Sequence, residues 1–288
     1  MTLLAARSRV SAGRPGLAGW LAVRTSLGIA ALIALLPIFY LVSLSLRRND
    51  DILSGSWIPR VVSWNNWPDA FDALPQNLGW YVFNSWTVAG GAAIISLLIA
   101  VPGAVYTARA KAAGEQLLAI ALTAYCAPPV VAMVPLFLLL HYAGLLNTLL
   151  GLVLVNGIAN VPIALWLIDG FVRRVPIEIE EAAWIDGASR WTTLRRVLLP
   201  LMWPGVVATG LICLFVAYSE FLFAVSYAQT EDSQTLTVAL SIFQSSGKDI
   251  NYGKEAVASL VGILPMYALA FLSQRWLVAG LTAGAVKS

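Results

Sequence analysis

Six long stretches of this chain carry no charged side chain, and they restrict its fold before any motif is considered. Thr25 to Leu46 lies between Arg24 and Arg47, Leu74 to Ala108 between Asp72 and Arg109, and Gln116 to Leu140 between Glu115 and His141. Tyr142 to Ile168 lies between His141 and Asp169, Val197 to Ser219 between Arg196 and Glu220, and Ala256 to Gln274 between Glu255 and Arg275. A helix needs about 20 apolar residues to cross a bilayer. Each window reaches or approaches that length, so the spacing predicts an all-α membrane protein with six transmembrane helices and both termini on one side. In the second window the spanning part is expected to start near Ser85. Composition agrees: 11% of residues are charged, against about 25% in soluble domains. The first window is too long for a signal-peptide core and no small-residue cleavage site follows it, so it reads as a retained span.

Lysines and arginines orient the spans, because they collect on the cytoplasmic side. One side holds Arg7, Arg9, Arg14, Arg24, Arg109, Lys111, Arg173, Arg174, Arg190, Arg195, Arg196, Arg275 and Lys287. The other holds Arg47, Arg48, Arg60, Lys248 and Lys254. The excess places both termini in the cytoplasm. Outside lies Arg47 to Trp80, which holds Trp57, Trp64, Trp67 and Trp80 with Pro59, Pro68 and Pro75. Tryptophan favours the membrane interface, so short helices along the outer surface are expected there, with a docking surface for an external partner as the other reading. The second outer segment, Ala228 to Glu255, is long for a connection. It is either a solvated loop or one that meets a partner or dips toward the pathway.

The stretch from Glu178 to Pro204 sits between two apolar runs yet carries Glu178, Glu180, Glu181 and Asp186 with Arg190, Arg195 and Arg196. It reads as two short helices broken at Gly187. Pro176 suits a first helical turn, and the acids near it lie at the positive end of the helix dipole. Gly187 can adopt the left-handed conformation that ends a helix, and Ser189 can cap the next one. There Leu194, Val197, Leu198 and Leu201 recur at helical spacing, opposite Arg190, Thr193 and Arg196. Pro200 and Pro204 are expected to turn the chain into the following apolar run.

Glu181-Ala182-Ala183, three residues, Gly187, nine residues, then Val197-Leu198-Leu199-Pro200 resembles the EAA loop of ABC-importer permeases, with valine in place of isoleucine. The C-terminal run from Gln274 to Ser288 also resembles the tail of the smaller permease subunit of the maltose importer. The resemblance covers nearly the whole chain and points to the carbohydrate branch of binding-protein-dependent importers. It implies a type I ABC importer permease fold in a bacterial plasma membrane. Residues 1–24 would be a basic cytoplasmic extension, 25–280 the six-helix permease domain with its coupling loop at 176–200, and 281–288 a cytoplasmic tail. Implied partners are a second related permease, two ATP-binding subunits, an extracytoplasmic solute-binding protein, membrane lipid and a sugar, with no nucleic acid. Glu181 would contact the ATPase, Gly187 would allow the turn, and Ala182 and Ala183 would let the helix pack closely. Leu199 and Pro200 complete the motif.

No nucleotide-binding signature is present. Gly247-Lys248 is followed by Asp249, and Ile242 stands where a P-loop needs its first glycine. The chain is therefore expected to be a non-catalytic subunit with no cofactor or metal of its own, and ATP and Mg would bind the partner ATPases. Both cysteines, Cys126 and Cys213, fall in apolar runs and read as small buried hydrophobes. Pro128, Pro129 and Pro135 interrupt the third window, either as a kink lining a pathway or as packing. His141 reads as an interfacial residue, and Asp169 as an acid at the end of the fourth span where water reaches it.

Glu220, with Tyr218 and Ser219 beside it, is the acid deepest in apolar sequence. Charge in a membrane is costly and usually functional. It either faces the substrate pathway or supports packing beside it, unless it lies at the outer membrane edge. Asn84, Asn156 and Asn160 can bond sugar hydroxyls or bond between helices, and the second is favoured. A competing reading is a secondary transporter or channel that needs no ATPase, but such proteins often show inverted repeats or relays of buried acids, and neither is evident. A membrane scaffold would have no use for the coupling loop.

Overall fold

The computed structural model describes residues 17–48, 51, 56–245 and 252–285. These form helices and the loops between them, with no strand among the described residues. The helices are α1 (Leu17–Ser45), α2 (Asn66–Phe71), α3 (Leu78–Arg109), α4 (Lys111–Tyr125), α5 (Pro129–Tyr142), α6 (Leu149–Ala159) and α7 (Val161–Val172). After them come α8 (Ile177–Ile185), α9 (Arg190–Thr193), a π-helical segment (Leu194–Leu198), α10 (Leu199–Tyr218), α11 (Leu222–Tyr227), α12 (Leu236–Ser245) and α13 (Tyr252–Ala285).

Four helical stretches are each long and apolar enough to span a membrane: Gly19–Ser45, Leu78–Arg109, Arg190–Tyr218 and Tyr252–Gln274. Two bent pairs, α4 with α5 at 92° and α6 with α7 at 46°, are each long and apolar enough together to make one further span, which brings the total to six if each pair crosses once. The third and fourth windows are thus not single rods. Pro128 and Pro129 lack the N–H groups that a continuing helix would bond, and the residue before a proline disfavours the helical region. The chain turns there, whereas Pro135 lies inside α5. The helix of the fourth window starts at Leu149, capped by the Thr148 hydroxyl on Gly151 N–H at 3.0 Å. The helix that carries the second span starts at Leu78, where the Asn77 side chain caps Gly79 N–H at 2.9 Å.

α3 is the axis of the bundle and packs on α6, α7 and α10. Small residues bring these backbones together: a Cβ on Gly205 of α10 would meet the Phe171 ring of α7 at 2.5 Å, and one on Gly157 of α6 would meet Ile95 of α3 at 2.9 Å. Ser96 donates to Gly157 O at 2.8 Å between the same helices. In lipid, close packing and interhelical hydrogen bonds replace the hydrophobic drive. α1 leans on α13 and exposes most of its length. α4 and α5 are almost as bare.

At the end away from α8, Asn66 of α2 donates to Ser45 O and Arg47 O. Lys254 pairs with Asp69 at 3.7 Å. Trp57 and Trp64 are exposed and Trp67 is half-buried. α12, part of the second outer segment, packs on α3 and α13. Gly247, Lys248 and Asp249 lie outside the described residues, as do residues 1–16 and 286–288 of the termini. α13 runs on across residues 280 and 281 without a break. The cysteines divide: Cys213 is buried as expected, but Cys126 is exposed at the bend between α4 and α5, where no neighbouring helix covers it.

Candidate coupling site

At the end of the bundle that carries Arg109 and Arg173, the chain leaves α7, forms α8 and re-enters through α9. Pro176 stands one residue before α8, in the cap position rather than the first turn. Ile179 N–H bonds back to its carbonyl at 3.3 Å. The helix ends at Gly187, whose φ is +86°. Gly187 N–H bonds Trp184 O at 3.0 Å and Ala188 N–H bonds Ala183 O at 2.9 Å, a complete Schellman motif. Ser189 then caps α9, its hydroxyl accepting from Thr192 N–H at 3.2 Å.

The three acids of α8 part company. Glu178 and Glu181 are exposed, whereas Glu180 is buried to 2% exposure. One carboxylate oxygen of Glu180 accepts from Arg109 Nε at 2.8 Å and lies 2.7 Å from its Nη2. The same Nη2 donates to Val172 O at 3.1 Å and Val175 O at 2.7 Å. Beside this pair, Asp169 is buried rather than reached by water. It accepts from Thr107 Oγ1 at 2.7 Å and Arg173 Nε at 2.5 Å, an anchor that holds the Arg173 guanidinium above its ordinary pKa. Burying a carboxylate is costly unless it is paired and hydrogen-bonded. Both acids meet that condition.

The outward face of the loop combines acid and apolar groups. Ile185 is 86% exposed, and Trp184, Ile179 and Trp191 are exposed as well, beside Glu181 and Ala182. Ala183 is half-buried. Under α8 a cavity of about 380 Å³ is lined by Tyr106, Arg109, Glu180, Trp184 and Arg190 among others. The second half of the loop is not a separate short helix. Arg190 to Tyr218 is one continuous helical stretch, and Pro200 and Pro204 do not turn the chain. Pro200 lies inside this stretch just after the wider π turn of Leu194–Leu198, a local adjustment of the kind that lets a membrane helix continue past a proline. Thr193 faces inward at 2% exposure, its hydroxyl bonded to Ser189 O at 3.1 Å, and Leu201 faces outward. Leu199 is half-buried and Pro200 exposed.

The polar residues singled out inside the spans do not converge, and none lines the cavity under α8. Tyr218 donates to Gly262 O at 2.9 Å. Ser219 bonds back to Phe215 O at 2.9 Å. The two carboxylate oxygens of Glu220 accept from Phe223 N–H at 2.8 Å and Ala224 N–H at 3.1 Å, capping α11. Asn84 donates to Asp232 O and Gln234 O, both at 2.9 Å. Asn156 bonds Leu152 O at 3.0 Å, and Asn160 bonds Cys213 O across to α10 at 3.2 Å. His141 is exposed and stacks on Phe137. No group of three metal-ligating side chains occurs among the described residues.

Residues 100–282, which contain this loop and four of the six spans, match the family model described as binding-protein-dependent transport system inner membrane component. The chain belongs to that family. Relatives of this transport component include a putative ABC transporter permease of Streptomyces antibioticus, 37% identical over 80% of this chain and 100% of that protein. A diacetylchitobiose uptake permease of Streptomyces coelicolor is 32% identical over 87% and 91%. A trehalose transport permease of Mycobacterium tuberculosis is 31% identical over 88% and 93%. The fold matches a chain of a bacterial ABC transporter that imports the polysaccharide alginate, with a TM-score of 0.73, 21% identity and coverage of 89% and 95%. It is the type I importer permease fold.

Sequence reasoning placed the turn at Gly187 and the cap at Ser189 but missed the pairing of Glu180 with Arg109. A signal was available: Ile177, Glu180 and Ala183 share one face of α8 at three-residue spacing, and Arg109 ends the second span on the same side.

Proposed function

We propose that this family member is one of two permease subunits of an ATP-driven sugar importer in a bacterial plasma membrane, with α8 as the helix that docks on a cytoplasmic ATPase. The observation that carries this is the outward face of α8. Ile185 is 86% exposed in a loop flanked by charge, where water and not lipid would otherwise surround it. An exposed apolar group rimmed by Glu181 and Asp186 fits a cleft on a protein partner. Gly187 sets the turn, while Ala182 and Ala183 keep the helix narrow. ATP and Mg are held by two such partner subunits, and an extracytoplasmic binding protein delivers substrate to a pathway between the two permeases. Both termini and residues 281–288 lie on the cytoplasmic side, as does the basic extension 1–24. Relatives for diacetylchitobiose and trehalose support a sugar substrate. In this reading Glu220, Tyr218, Ser219, Asn84, Asn156 and Asn160 shape the walls of the pathway through packing rather than by forming a closed site. Family membership does not favour a secondary transporter.

The test is purification of the complete complex in mild detergent, with wild-type chain and with Glu181→Ala plus Gly187→Pro. An ATPase should accompany the wild type and be lost from the variant. Uptake of labelled trehalose, maltose and diacetylchitobiose into proteoliposomes then reads the substrate. No ATPase with the wild type, or uptake that persists without ATP, would overturn the reading.

A further inference from the structure

The coupling helix has one attachment to the bundle that its chain connections do not supply. Covalently, α8 continues from α7 and leads through α9 and the π segment into α10. Its broad packing is to α9 and the π segment. Yet Glu180 on its inner face grips Arg109, the last residue of α3 and 71 positions earlier in the chain. Arg109 does not simply neutralise Glu180. Its remaining reach goes to Val172 O and Val175 O, the carbonyls where α7 ends and the loop begins. One guanidinium therefore holds α3, the end of α7 and α8 together.

A buried ion pair is weak evidence for stability, since desolvating two charges offsets their attraction and well-packed apolar residues often do as well. What this pair supplies is direction. A guanidinium presents donors in a rigid fork, which fixes orientation as well as distance. α3 is also the helix against which α6, α7 and α10 pack. We infer that Arg109 and Glu180 form a latch that makes α3 follow the coupling helix. The stroke of the ATPase then enters the bundle at its central helix, and not only through the two spans joined to the loop by the chain. Glu180 and Arg109 are positioning residues here, and the inference rests on the docking of α8 proposed above.

The test uses the complete complex in proteoliposomes, measuring ATP hydrolysis and uptake of whichever of labelled trehalose, maltose or diacetylchitobiose the wild type carries. Glu180→Gln keeps shape but removes charge, and Arg109→Lys keeps charge but removes the fork. Both complexes should retain the ATPase subunits and hydrolyse ATP, while uptake per ATP falls about tenfold, a size usual for coupling between sites. The exchange Arg109→Glu with Glu180→Arg should restore part of that ratio. Arg109→Met with Glu180→Met removes both charges without leaving one unpaired, so it guards against misfolding and should assemble but remain uncoupled. An unchanged ratio in an assembled double-methionine complex would falsify the latch. So would hydrolysis and uptake falling in proportion in the single variants. If the wild type itself brings down no ATPase, the docking reading fails and the latch falls with it.

Discussion

At the scale of single residues, the backbone at Gly187 sets the sharpest expectation. Its φ of +86° is a conformation that costs a residue with a Cβ about 1 kcal/mol or more, and no atom lies within 4 Å of an added Cβ. Gly187→Ala should therefore lower the thermal stability of the purified complex by about 1 kcal/mol through backbone strain alone, and Gly187→Asn by less. Equal melting for all three would show that the loop can end its helix some other way. Asn84 offers a second case. It is fully buried and donates to two carbonyls, so Asn84→Leu should cost about 1–3 kcal/mol by stranding them. Residues such as Gly187 and Ser189 were legible because turn and cap chemistry is local. Glu180 and Asp169 were not. Glu180 is paired with Arg109, 71 positions away, and Asp169 is bonded to Arg173 one turn on and also to Thr107, 62 positions away; the letters show the candidate partners but not that the fold buries them together.

Among helices, prolines were the least legible feature. Pro128 and Pro129 end α4 and start α5 at a right-angled bend, while Pro37, Pro102, Pro135, Pro204 and Pro265 lie inside helices. A proline within a span removes one hydrogen bond, and whether the helix survives depends on neighbours that re-satisfy the freed carbonyl. That is a property of the packed bundle, invisible in a run of apolar letters. Contact between helices is more predictable once seen. Gly205 admits the Phe171 ring against α10, so Gly205→Ala should destabilise the assembled complex by about 1–3 kcal/mol through overpacking. Gly205→Ala with Phe171→Leu should recover part of that loss. A melting temperature unmoved by the first change would mean that α7 and α10 can separate at no cost.

For the whole molecule, the four spans and the two bent pairs that can each make one more were legible because the bilayer sets a length that sequence windows must meet. Their bends were not, since hydropathy records length and no angle. Sidedness is open to direct measurement. In a background with Cys126→Ser and Cys213→Ala, a cysteine replacing Ile185 should react with a membrane-impermeant maleimide only after cells are permeabilised. One replacing Trp57 should react in intact cells, and the reverse pattern would invert the orientation. The unbroken helix from Arg190 to Tyr218 has a further consequence. A helix turns about 100° with each residue, so the stretch between Gly187 and α10 works as an angular ruler. One residue inserted there would swing Leu198 and Met202, each 1% exposed, about a quarter-turn out of the bundle. The nine-residue interval in the loop is then a rotational phase: it decides which side of the span the rest of the transporter meets.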